Sequence, residues 1–199
     1  MPRLADHEQR RKQITDATRR VIARDGLTAA TFQSVAAEAG ISVRLVQYYF
    51  GTKREFLIAT HQAVLADAGA RLATGLTALG PDASPRAVLR TTFAELLPLD
   101  DTRRDEVLIL GAFQAARLGR AEVENSIGNG PARYMVDAAA QQLARLRRGT
   151  AARMETITLD AELLVAAVGG LAQGMLSGFA TPEHAELLLD RLLDRLLPP

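Results

Sequence analysis

Apolar residues recur every three to four positions along almost the whole chain, and no stretch alternates apolar with polar residues. That spacing turns one face of a helix inward, so the pattern predicts an all-α protein without a sheet. The first predicted helix runs over about 7–24, with Ile14, Ala17, Thr18, Val21 and Ile22 inward, after a mobile arm at 1–6. Asp25-Gly26 ends it. Thr31 then caps a second helix carrying Val35, Ala36 and Ala39 inward, and Gly40 stops that helix as a left-handed C-cap. Ile41 plugs the turn, and Ser42 caps a third helix whose inward stripe is Val46, Tyr49 and Phe50. Arg44, Gln47 and Tyr48 remain outside. A helix begins again near Thr52 and continues to about Leu79.

Beyond it, Gly80-Pro81-Asp82-Ala83-Ser84-Pro85 breaks the chain. Ser84 caps a helix reaching about Leu97, with Pro85 at its first position and Pro98 closing it. Asp100 or Asp101 caps the next, which reaches about Leu118. Residues 119–131 read as either a loop or a short helix, and a further helix spans about 132–148. Asp160 is expected to cap a helix apolar almost all round, and so buried on nearly every side. After Thr181-Pro182-Glu183 comes a terminal helix with a broad leucine face: Leu188, Leu189, Leu192, Leu193, Leu196 and Leu197.

Composition narrows the chemistry. Hydrophobic residues make up 48% of the 199 and aromatics only 5%, which is the balance of Ala- and Leu-rich helices. Cysteine is absent, which excludes disulfides, thiol catalysis and zinc–thiolate sites. The polar, charged start predicts no secretory signal, and no apolar run nears ~18 residues, so neither a membrane span nor a location outside the cytoplasm is expected. His7, His61 and His184 stand apart from one another, and no nucleophile elbow or phosphate loop occurs. No metal, cofactor or catalytic residue is expected, and the chain reads as no enzyme. Asp100, Asp101, Asp105 and Glu106 read as helix N-terminal charge.

The net charge of +1 is unevenly placed: residues 1–60 carry 10 Lys and Arg against 6 Asp and Glu. A basic head suits phosphate binding, although charge runs also simply solvate a face, which is the reading given to Arg10, Arg11 and Lys12. Helix, glycine turn and helix with Arg44 and Gln47 outside fits the major groove, where Arg reads guanine and Gln reads adenine. The same pattern also fits a hairpin inside an ordinary bundle.

Ala39-Gly40-Ile41-Ser42, Val46-Gln47-Tyr48-Tyr49-Phe50 and Thr52-Lys53-Arg54-Glu55 together resemble the signature of the tetracycline-repressor (TetR) family of bacterial regulators. The resemblance implies a three-helix helix-turn-helix head over 1–55 and a larger helical ligand-sensing and dimerisation domain over 56–199. It implies DNA contacts by Thr31, Gln33, Ser42, Val43, Arg44, Leu45, Gln47, Tyr48, Tyr49 and Lys53, the last clamping a phosphate. Val43, where Lys is frequent, Gln47, where Tyr is usual, and Gly51 depart from the family pattern. The segments LLPLDDTRRDEVLILGAFQAARL and GGLAQGMLSG and the leucine helix resemble the body of the Bet-regulator subgroup.

The expected protein is therefore a ligand-released repressor that binds a palindromic double-stranded DNA operator as a homodimer. The dimer is expected to form through the last two helices, about 160–197, making a four-helix bundle, although the same helices also read as completing the core of a single chain. A small-molecule effector, hydrophobic or amphipathic given the apolar body, would sit near Phe93, Leu97, Phe113, Arg117, Tyr134, Met135 and Gln173, although each of these also reads as plain core. The alternative is a helical ligand-sensing dimer that does not read DNA.

Overall fold

A computed structural model of the chain describes residues 2–118, 130–146 and 154–197. Among these, every regular element is helical: α1 (Pro2–Asp25), α2 (Phe32–Ala39), α3 (Val43–Tyr49), α4 (Lys53–Leu79), α5 (Pro85–Ala94), α6 (Asp101–Leu118), α7 (Gly130–Leu146), α8 (Met154–Leu176) and α9 (Pro182–Leu196).

Most helix ends follow from their capping residues. Thr31 and Ser34 form a reciprocal capping box at α2. Ser42, Ser84 and Thr181 each accept a backbone N–H from the first turn of α3, α5 and α9. Asp100, rather than Asp101, caps α6 by accepting from Arg103 N–H at 2.8 Å. That bond and the Arg103 guanidinium hold the Asp100 carboxyl below its usual range.

Three expectations are corrected. The arm at 1–6 is helical from Pro2, because proline at the first position loses no hydrogen bond and Ala5, Glu8 and Gln9 favour helix. α5 stops at Ala94, three residues early, in a tight turn that leads into Pro98. Asp160 is not a cap: α8 begins at Met154, and Ile157 one turn before Asp160 already packs inward. The loop or short helix expected at 119–131 lies largely outside the described residues.

Packing divides the chain into two compact units. The first holds residues 1–67 and 105–127, the second 68–104 and 128–199. The helix-turn-helix closes near residue 55, but this unit extends further because α4 and α6 supply part of its core. Phe56, Leu57 and Val64 of α4 and Ile109 and Phe113 of α6 are buried with Ile14, Val21, Val35, Val46 and Phe50. Edge-to-face contacts run Phe32–Phe56–Phe50, with ring centroids 5.3 and 6.5 Å apart.

In the second unit α7 packs on α8, α8 on α9, and α5 on both α7 and α9. Ion pairs stitch α5 to α9: Arg86–Asp194 at 2.7 Å and Arg90–Asp190 at 3.1 Å. The expectation for α8 is only half met. Its inward stripe is Ile157, Ala161, Leu164, Val168 and Ala172. The opposite side is bare, with Leu159 53% and Leu163 61% exposed and open space at Gly169 and Gly170. Hydrophobic residues all round a helix therefore do not mean burial all round within one chain. By length and composition α8 is also apolar enough to cross a membrane, although polar residues interrupt its apolar run. Its leucines, valines and alanines raise its mean hydropathy, as they do in the core helices of bundles.

Candidate DNA-binding site

The site is assembled at the ends of short helices, so the local geometry comes first. Gly40 adopts φ 66°, and Ile41 N–H reaches back to the Ala36 carbonyl at 3.0 Å. This is the Schellman ending, which turns the chain sharply and leaves Ile41 against the core. Two residues later Ser42 Oγ accepts Leu45 N–H at 3.2 Å, and α3 begins. α3 has seven residues and buries only Val46 fully, so its position depends on its neighbours.

On this scaffold the predicted residues fall into three groups. Thr31 and Gln33 lie at the N-terminus of α2. Gln33 is exposed, while Thr31 is half-buried and occupied by its capping box. On α3, Arg44, Gln47 and Tyr48 are exposed, Tyr48 at 75%. Among the described residues, Arg44 and Gln47 make no side-chain hydrogen bond or ion pair, so both donor groups are available. Val43 and Leu45 are half-buried, Val43 against the head core, and Ser42 is used as the cap. Tyr49 packs between the His7 ring at 4.8 Å and the Tyr48 ring at 5.2 Å. Lys53, the first residue of α4, donates to the Thr28 carbonyl at 3.4 Å, a long bond that a phosphate can replace.

Sequence reasoning missed the contacts that hold this face in place. Arg11, read as part of a solvated face, is half-buried and donates to the Tyr49 carbonyl at 2.6 Å. Gln13 donates to the Ala39 carbonyl at 2.9 Å, at the end of α2. Glu38 receives both Arg20 at 2.6 Å and Arg24 at 3.0 Å, and those guanidiniums keep its carboxyl below the usual range. The partners of Arg11 lie 38 residues away, beyond any helical periodicity.

The proposed effector residues are divided between the two units. Phe93 and Leu97 are buried in the second unit, where Met135 is half-buried. Phe113 and Arg117 belong to the first unit, with Phe113 against the His61 ring at 5.0 Å. Tyr134 and Gln173 are exposed. Burial lowers the affinity of His61 for a proton. Among the described residues no three His, Asp or Glu side chains are grouped to hold a metal ion.

Comparison with known proteins agrees with this geometry. Residues 14–60 match the family model of bacterial regulatory proteins, tetR family. The transcriptional regulator BetI of Burkholderia thailandensis is 43% identical over 103 residues, 52% of this chain and 51% of that protein. The regulator PksA of Bacillus subtilis is 47% identical over 57 residues, 29% of this chain and 28% of that protein. The chain thus spans about half the length of the BetI relatives it matches. Over the full length, a transcriptional regulator from Rhodococcus sp. Rha1 superimposes with a TM-score of 0.79 at 26% identity, covering 94% of this chain and 95% of that one. A regulator from Saccharomonospora viridis, solved in complex with choline, shares the fold with a TM-score of 0.79 at 20% identity, covering 94% and 96%. The head therefore resembles the DNA-binding domain of tetR-family regulators, about half of the chain resembles BetI, and the fold as a whole is that of these regulators.

Proposed function

We propose that the chain is a ligand-released transcriptional repressor that binds a palindromic operator as a homodimer. The observation that carries DNA reading is the outer face of α3, where Arg44, Gln47 and Tyr48 are exposed and the polar ends of Arg44 and Gln47 are unused. Arg44 serves as the guanine reader, Gln47 contacts adenine or a phosphate, and the α2 N-terminus and Lys53 hold the backbone.

Dimerisation is supported by the bare side of α8. Leu159, Leu163 and Phe179, with Leu187 of α9, present apolar surface that a second copy would cover. A two-fold reader also suits an operator with two half-sites. An effector held by the body shifts the population toward a state whose heads no longer fit the half-site spacing, and DNA is released. Choline is the first compound to try, given the ligand of the Saccharomonospora viridis relative in fold.

The test is fluorescence anisotropy with a labelled fragment from upstream of the gene, at two salt concentrations, against an unrelated fragment. Specific binding by two chains per site, weakened by an effector, is expected. An effector that binds yet leaves operator affinity unchanged removes the release mechanism. Absence of binding to either fragment at low salt favours a ligand-sensing dimer that does not read DNA.

A further inference from the structure

We infer that Arg11 of α1 is a positioning residue for the recognition helix, setting sequence preference without touching DNA. The inference rests on the reading of α3 as the base-reading element. Helix ends leave carbonyls without partners, and a seven-residue helix has few internal bonds to resist fraying or rotation. Tyr49 is the last residue of α3, and its carbonyl is taken by the Arg11 guanidinium at 2.6 Å.

The same guanidinium lies 4.0 Å from the centre of the Phe50 ring. Phe50 is the fully buried residue that ends α3 and packs edge-on against Phe56 of α4. One planar group therefore fixes the end of α3 by two directions at once, a bond to its carbonyl and a stack on its anchor. Its charge also sits at the negative end of the helix dipole. One turn earlier on α1, His7 packs on the Tyr49 ring. Arg44 and Gln47 lie within two turns of the clamped end, so a loosened end of α3 changes the angle at which they approach bases.

This role separates from two plainer ones. A phosphate contact by Arg11 would strengthen binding to every sequence and contribute to the salt dependence. A purely structural role would lower the amount of folded head and weaken binding to all sequences alike. Positioning lowers discrimination between sequences.

The experiment uses full-length wild type, Arg11→Ala and Arg11→Lys. Each is titrated against an operator duplex recovered by random-sequence selection with the wild type, and against a scrambled duplex, over a range of salt. Thermal unfolding by circular dichroism sets a working temperature at which all three are folded. Arg11→Ala is expected to weaken operator binding about tenfold, the loss typical of a charged hydrogen bond, and to leave scrambled DNA and the salt slope unchanged. Arg11→Lys keeps the charge but cannot both stack and donate in the same geometry, so it should fall between the two. A salt slope reduced by about one would make Arg11 a phosphate contact and overturn the inference. Equal losses on both duplexes, or none, would also overturn it. A wild type that fails to discriminate the duplexes would instead remove the DNA-reading role itself, and this inference with it.

Discussion

Arg44 and Lys53 lie on the same head and should fail in different ways. Arg44 is exposed on α3 with its guanidinium unused, whereas Lys53 sits at the start of α4, loosely held by Thr28. Arg44→Ala is expected to cost about 1–3 kcal/mol on the operator and relax preference at one base pair. Lys53→Ala should weaken all duplexes similarly and flatten the salt dependence by about one phosphate. Anisotropy titrations over a salt series separate the two, and identical profiles would contradict the assignment. Arg44 stands out in the sequence as an outward residue of a short helix, and Lys53 as the residue that opens the helix after it. Arg11 does not stand out. Its bond to Tyr49 spans 38 residues, and nothing in the local pattern distinguishes it from Arg10 or Lys12.

The helices themselves were read well where capping chemistry fixed their ends. Gly40 shows why: its φ of 66° is the conformation in which an L side chain is strained. Gly40→Ala should destabilise the head by about 1–2 kcal/mol in denaturant unfolding, although open space surrounds the position. Reading failed where apolar spacing continued across a weak signal, as at Asp160, which lies inside α8 because Ile157 already packs inward. The pairing of α4 with α6 was equally hidden. It places the buried His61 against Phe113, from which a pH response of the head is expected. Burial lowers the His61 pKa, so as pH falls the unfolded chain takes up a proton first. Stability should be full above the ordinary histidine range near about 6.5 and decline as pH drops through it. His61→Phe should flatten that part of the profile, and equal slopes in the two proteins would exclude His61 as its source.

For the whole molecule, the all-α architecture and basic head followed from the sequence, while the grouping of helices required three dimensions. α4 and α6 each contribute to both compact units, although their sequence patterns read as single helices. The bare side of α8 leads to a measurement at this scale. Leu163→Arg should shift the chain from dimer to monomer in sedimentation and abolish operator binding at concentrations where the wild type is saturated. The wild-type unfolding midpoint should also rise with protein concentration. A variant that remains dimeric would place the interface elsewhere.

From Leu163 through Phe179 the chain carries no charged residue. A pairing face built there has contour but no electrostatic code by which to reject a near relative. In a cell that makes several sister regulators, fidelity of partnering along this stretch would rest on bumps and hollows, such as Leu163 and Phe179 beside the open space at Gly169 and Gly170. Mixed pairs carrying two different heads would then read hybrid operators. Filling one hollow in one chain and trimming a bump in another would yield regulators that assemble only with their intended mates.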